Sequence, residues 1–87
     1  MTPRVWWHRD GDAPADAVYV GRPSPWGNPY RIGRDGSRAA VVAKFRGLVM
    51  RNPVLRRRIR HHLHGRHLLC CDQRPCHAEV LLDFANR

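Results

Sequence analysis

Residues 21–30 form a stretch that excludes both an α-helix and a regular β-strand. Their sequence, GRPSPWGNPY, contains three prolines and two glycines, and proline lacks the amide hydrogen that helix and sheet interiors require. A loop with so many fixed φ angles is stiff, so it can hold side chains in place before a ligand arrives. The other elements of the chain must therefore lie on either side of this loop.

The loop combines side chains that suit a planar, polar and negatively charged ligand. The guanidinium of Arg22 can donate two hydrogen bonds to one anion, and Trp26 has a large apolar surface with one N–H donor. The amide of Asn28 can both donate and accept hydrogen bonds. Gly27 lies between the last two. This mixture predicts a nucleotide-type ligand. The alternative is a structural turn in which Trp26 is buried and has only a packing role.

Apolar periodicity on both sides of the loop predicts three strands and three helices. Short apolar runs typical of strands cover residues 4–7, 18–20 and 67–71. Helical patterns cover residues 38–50, 53–64 and 76–85. Ser37 or Asp35 is expected to cap the first helix, and Asn52 the second.

A chain of 87 residues makes one domain, spanning residues 1–87. The second and third strands are separated by two helices, and a crossover of that length normally joins parallel strands. We therefore expect a small α/β domain with a short, mostly parallel three-stranded sheet and three helices. The ten-residue connection after the first strand leaves the direction of that strand open.

Two loops are expected to meet at one edge of this sheet. Loop 21–30 follows the second strand and segment 72–77 follows the third, and ligands bind beyond the carboxyl ends of parallel strands. The first helix also starts at this edge, with Ser37 and Arg38 in its first turn. An arginine at the positive end of a helix gains nothing from the helix dipole. We therefore expect Arg38 beside a carboxylate, that of Asp35, or beside a bound anion.

Cys76 and His77 open the last helix, where exposed amides stabilise a thiolate or a bound phosphate. Adjacent helical residues point about 100° apart, so His77 is not expected to act as a base for Cys76. The alternative is that Cys76 is a small buried hydrophobe. The ligand-binding set predicted at this edge is Arg22, Trp26, Gly27, Asn28, Asp35, Ser37, Arg38, Cys76 and His77.

Cys70, Cys71 and Cys76, together with His67 and His77, could suggest a zinc site, but the cysteines do not have the spacing of a metal-binding or disulfide framework. The spacing Cys71-x4-Cys76 is looser than in structural zinc sites, and the chain has no second CxxC. No metal and no cofactor are therefore predicted. An odd number of cysteines favours a reduced, cytoplasmic compartment, in which a bridge from Cys70 or Cys71 to Cys76 is not expected. No apolar run is long enough for a signal peptide or a membrane span.

The net charge of +9 arises from one segment of the chain. Residues 36–71 hold nine of the 16 basic residues and no acidic one. Helical geometry places a basic stripe on the outer face of the second helix, formed by Arg56, Arg57, Arg60, His61 and His64. Such a stripe favours a polyanionic partner such as nucleic acid. The alternative is an ordinary solvated helix face.

The sequence resembles the DUF4326 family, a group of small proteins common in bacteriophages and actinobacteria. The resemblance is carried by VYVGRP at 18–23, WGNPY at 26–30, DGSR at 35–38 and CHAEVLL at 76–82, and it extends over residues 4–86. The family usually has Cys-Trp-Cys on its last strand, where this chain has Leu69-Cys70-Cys71. The resemblance therefore does not imply a metal-binding cysteine cluster here.

The resemblance implies a small Rossmann-like α/β fold of two or three layers, similar to nucleotide-sensing domains. The expected cytoplasmic compartment would be the host cytoplasm if the protein is phage-encoded, and the resemblance supplies no activity. The chain shows no paired-carboxylate signature, nucleophile elbow, P-loop or dinucleotide fingerprint that would assign an enzyme class. Three functions are consistent with these features: binding of a nucleotide-type ligand, binding of nucleic acid, and interaction with a host protein in which the motifs are structural.

Overall fold

The computed structural model describes residues 3–7, 11–21, 24–70 and 76–87. Along the chain the elements are β1 (Val5–Trp7), β2 (Val18–Tyr19), α1 (Arg38–Arg51), α2 (Pro53–Leu63), β3 (Leu68–Cys70) and α3 (His77–Ala85). The predicted α/β class, with three helices and a three-stranded parallel sheet, is confirmed. None of the helices in these ranges combines the length and the apolar character that a membrane span requires.

The sheet has the strand order β1-β3-β2, and both of its pairings are parallel. The direction of the first strand, which the sequence left open, is therefore the same as that of the other two. In the register of the sheet, Leu68 pairs with Val5 on one side and with Val18 on the other. All three carboxyl ends consequently lie at one edge.

The two faces of the sheet differ in burial. Leu68 is fully buried and contributes to the core, whereas its neighbour Leu69 is half-buried. Tyr19, which pairs with Leu69, is 41% exposed. α3 packs on β1 and β3, and Leu68 belongs to the same buried cluster as Leu81 of α3, so α3 covers the buried face of the sheet.

Local signals in the sequence explain where the helices begin and end. Gly36 has a φ of +122°, which favours glycine, and it precedes Ser37, whose hydroxyl accepts a hydrogen bond from Ala40 N at 3.2 Å. Asn52 caps α2 in the same way, accepting from Leu55 N at 3.0 Å. Gly65 follows α2 with a φ of +73°, as expected for a residue just beyond a helix.

The core lies where the three helices meet the buried face of the sheet. Its fully buried members include Ile59 and Leu63 from α2, Leu68 from β3 and Leu81 from α3. The core extends to the carboxyl edge of the sheet through Val20, Cys70, Cys76 and His77, which are all buried. The carboxyl edge of the sheet is therefore continuous with the packed interior.

Candidate functional site

A cavity of about 230 Å³ lies at the carboxyl edge of the sheet, bounded by the end of β2 and the first turns of α1 and α3. Its lining consists of Tyr19, Gly21, Asn28, Tyr30, Ile32, Arg38, Val41, Val42, Cys76 and His77. Loop 21–30 and the start of α3 thus lie side by side, as expected of two segments that leave the same edge of a parallel sheet. Of the predicted ligand-binding residues, the cavity brings together Asn28, Arg38, Cys76 and His77.

Asn28 fixes the wall of this cavity through both ends of its amide. Its Nδ2 donates to the carbonyl of Val41 at 3.1 Å, and its Oδ1 accepts from Tyr30 N at 2.9 Å. The side chain is 5% exposed. Asn28 therefore connects the loop to α1 and positions Tyr30.

Trp26 lies away from the cavity, on the side of the loop that faces α2. Its side chain is 9% exposed, its ring centroid is 5.8 Å from that of His62, and the guanidinium of Arg58 lies 5.9 Å from its ring. Its backbone amide is held by Ser24 Oγ at 3.2 Å. This placement matches the packing role that the sequence offered as the alternative to ligand binding.

Three further predicted residues shape the loop and helix start without lining the cavity. Gly27 N donates to the carbonyl of Ser24 at 3.2 Å, which closes a turn, and Ser37 caps α1. The carboxylate of Asp35 accepts from Arg31 N at 2.8 Å and from Arg34 Nε at 3.0 Å. These two donors lower the pKa of Asp35. Arg22 lies outside the described residues.

Two tyrosines complete the lining, and the sequence analysis did not select either of them. Tyr30 ends the proline-rich loop, and the ammonium of Lys44 lies 5.9 Å from its ring. Tyr19 folds over Gly21: a Cβ added to Gly21 would lie only 2.7 Å from the Cζ of Tyr19. The sequence signal that could have identified Tyr19 is its position near the end of a strand, on the exposed face of the sheet and close to the carboxyl edge.

His77 is buried and its ring is held on two sides. Nε2 lies 2.7 Å from the carbonyl oxygen of Val20, and the ring makes an edge contact with Phe45 at a centroid distance of 5.4 Å. Since a carbonyl only accepts, Nε2 carries the hydrogen. Nδ1 then faces Cys76, whose Sγ is 3.5 Å away.

The expectation that His77 and Cys76 point apart is wrong. It assumed that both residues belong to the helix, whereas Cys76 is the N-cap, with extended backbone angles of φ −134° and ψ 149°. An N-cap residue does not follow the 100° helical progression. The side chains therefore converge in spite of being adjacent in sequence.

Cys70 and Cys76 are joined by a disulfide bond, which differs from the expectation of unbridged cysteines. Cys70 ends the central strand of the sheet, and Cys76 starts the helix that packs against this strand. This topology brings together two residues that are six positions apart. Cys71, the other cysteine that was considered, lies outside the described residues.

The predicted basic stripe forms a second candidate surface. Arg57, Arg60, His61 and His64 line a shallow groove on α2, and Arg57 and Arg60 also border a groove of about 430 Å³ that has Met50 and Phe84 among its lining residues. Arg56 also lines the larger groove, and its guanidinium donates to the carbonyls of Val49 and Met50 at the end of α1. One ring nitrogen of His64 is engaged within the protein, because Nδ1 lies at hydrogen-bonding distance, 2.8 Å, from the carbonyl oxygen of Ala85.

Carboxylates neutralise part of the positive charge next to this surface. Asp83 on α3 forms ion pairs with Arg46 and Arg87, both at 2.9 Å. The hydrogen bonds from Arg87 and then Arg46 lower the pKa of Asp83 to about 2. No ion pair of this kind involves Arg57 or Arg60 in the described part of the chain, so no carboxylate in that part offsets the charge of these two arginines by direct pairing.

One known family matches nearly the whole chain. A family model described as a domain of unknown function, DUF4326, matches residues 5–87. The chain belongs to the DUF4326 family. No curated protein and no solved structure matches it. The cavity and the basic groove are therefore the features of this DUF4326 domain that indicate a function.

Proposed function

We propose that this DUF4326 domain binds a small anionic molecule of the nucleotide type in the cavity at the carboxyl edge of the sheet. The observation that carries the proposal is the position of the cavity, where Arg38 and the N-termini of two helices surround the ends of parallel strands. Helix N-termini favour anions through their exposed amides and dipoles. Arg38 adds a full positive charge with a forked donor geometry.

The rest of the lining suits the other parts of such a ligand. Tyr30 and Tyr19 offer aromatic surface, and Val41 and Val42 offer apolar surface for a base or a sugar. A volume of about 230 Å³ lies below the usual range for ligand sites, about 300 to 1,000 Å³. The proposed ligand is therefore a mononucleotide or a smaller phosphorylated compound, rather than a dinucleotide.

Replacing Arg38 by glutamine should weaken binding of the ligand by about 10- to 100-fold, since a hydrogen bond to a charged group contributes about 1.5 to 3 kcal/mol. The measurement is calorimetric titration of the purified domain with a panel of nucleoside mono-, di- and triphosphates. The panel identifies the ligand, and the variant is then titrated with that compound.

Arg51→Gln is the matched control, because Arg51 ends the same helix and does not line the cavity. This variant should bind like the unmodified protein. Equal losses in both variants would show that only the overall charge matters, and heat signals absent across the whole panel would contradict the proposed function.

A second candidate function is binding of nucleic acid by the basic groove on α2, and the observation that favours it is the absence of ion pairs to Arg57 and Arg60 among the described residues. These two arginines are exposed and lie on the same side of the helix. The four side chains that line this groove are all basic residues, so they favour contacts to phosphates, which carry no sequence information. Binding by this surface would therefore be independent of sequence.

For the double variant Arg57→Ala/Arg60→Ala, the slope of log affinity against log salt on duplex DNA should fall by about 0.9 for each phosphate contact that is lost. The measurement is fluorescence anisotropy with labelled duplex at several salt concentrations. Arg31→Ala/Arg34→Ala removes the same charge from a different surface and should leave the slope unchanged. If the unmodified domain does not bind duplex at low salt, this candidate is eliminated.

A further inference from the structure

The start of α3 and the end of β3 bring three metal-ligating side chains together inside the protein. Sulfur atoms of Cys70 and Cys76 and a ring nitrogen of His77 all lie within 4.8 Å of one another. All three residues are buried, at 0%, 3% and 8% exposure respectively. Two sulfurs and one imidazole nitrogen form a donor set that prefers zinc and similar thiophilic ions.

The orientation of His77 is the second observation that points to a metal. Nε2 donates its hydrogen to the carbonyl of Val20, which leaves the lone pair on Nδ1 directed toward Cys76 Sγ. Histidines that bind metals usually donate their other ring N–H to a carbonyl or carboxylate, which fixes the tautomer and the ring plane. The bond to Val20 supplies this arrangement on a buried ring.

We propose that the reduced form of this domain binds one thiophilic divalent ion, Zn²⁺, through Cys70 Sγ, Cys76 Sγ and His77 Nδ1. A thiol reductant first transfers two electrons and two protons to the disulfide, which gives two thiols and the oxidised reductant. The metal ion then displaces both thiol protons. Two thiolates and one neutral imidazole balance the charge of Zn²⁺, so the buried site carries no net charge.

The placement of the cluster gives the proposed ion an open coordination position. Structural zinc sites are closed by four protein ligands, whereas sites with three ligands keep a fourth position for water or another molecule. Cys76 and His77 also line the cavity at the sheet edge, so the fourth position lies at the cavity wall. A water molecule or an anionic group in the cavity would be the fourth ligand.

The proposed ligands differ from the pair whose spacing was tested in the sequence. That spacing, Cys71-x4-Cys76, is looser than in structural zinc sites. The structure joins Cys70 instead to Cys76 and places His77 beside them. A disulfide connects only the two sulfurs, while the metal-bound state uses all three side chains of the cluster.

The experiment titrates the reduced full-length domain with Co²⁺, a spectroscopic substitute for Zn²⁺, without any nucleotide. We expect one Co²⁺ per chain, thiolate-to-metal charge-transfer absorption, and the intense visible bands of tetrahedral coordination. Zn²⁺ should displace Co²⁺ and abolish these bands. Protein oxidised beforehand to the Cys70–Cys76 disulfide is the matched control and should give no bands.

Variants then assign the ligands. Cys70→Ser and His77→Ala should each weaken Co²⁺ binding by about 100-fold or more, since even the loss of a supporting hydrogen bond costs 10- to 100-fold. Cys71→Ser should retain the stoichiometry and the bands. Circular dichroism in the absence of metal checks that each variant is folded. The comparison of the oxidised with the reduced unmodified protein tests metal binding even if a variant fails to fold.

Absence of charge-transfer bands in the reduced protein would overturn the proposal and leave a disulfide only. Loss of binding in Cys71→Ser with retention in Cys70→Ser would overturn the ligand assignment. Because no nucleotide is present, failure of this titration is distinguishable from failure of ligand binding in the cavity.

Discussion

Replacing Leu68 by alanine is expected to lower the free energy of unfolding by about 2 to 5 kcal/mol, the range for deleting a buried leucine side chain. Leu68 has no exposed surface and lies in the central strand, with a strand on either side. A domain of this length has a thin core and a total stability of about 5 to 15 kcal/mol. Urea denaturation followed by circular dichroism measures the loss.

Leu69→Ala is the control for this substitution, because it deletes the same atoms one position further along β3. Leu69 is half-buried and lies on the opposite face of the sheet, so its loss should cost less than half as much. Equal losses at the two positions would contradict the difference in burial between the two faces of the sheet.

The second large effect is expected at Asn28, where alanine should lower the free energy of unfolding by about 2 to 4 kcal/mol. The substitution removes both hydrogen bonds of a buried amide and leaves Tyr30 N without its acceptor, whereas the Val41 carbonyl still accepts the helical hydrogen bond of α1. A buried polar group left without a partner costs about 1 to 3 kcal/mol. Thermal and urea unfolding measure the loss.

Asn86→Ala provides a close comparison, since Asn86 also uses both ends of its amide. Its Nδ2 donates to the carbonyl of Leu82 at 2.9 Å, and its Oδ1 accepts from Gly65 N at 3.0 Å, but the residue is exposed. Water can replace both bonds, so the cost should be below about 1 kcal/mol. A similar loss in Asn28→Ala and Asn86→Ala would mean that burial of the amide is unimportant.

Much of the secondary structure could be predicted because its signals are local. Ser37 and the Asn52-Pro53 pair mark helix starts through hydrogen bonds and φ angles that involve only neighbouring residues. The parallel pairing of β2 with β3 followed from the length of the crossover between them. The ten residues before β2 contain no comparable constraint, so the direction of β1 became clear only from its pairing with β3.

The details of the site depended on tertiary contacts and could be predicted only in part. The meeting of loop 21–30 with the start of α3 follows from the sheet, but the side of the loop to which Trp26 turns is decided by its packing near His62 on α2. Likewise, the approach of His77 to Cys76 depends on Cys76 having an extended backbone. Periodicity describes residues within a helix and carries no information on the residue that precedes it.

The strand order has a consequence for synthesis of the chain. Among the described residues, β1 and β2 do not pair with each other, and both pair with β3. A nascent chain on the ribosome therefore cannot form this sheet until Leu68–Cys70 has emerged, although α1 and α2 precede this strand. The cavity also needs Cys76 and His77 at the start of α3, so the site cannot exist until these residues have been translated as well.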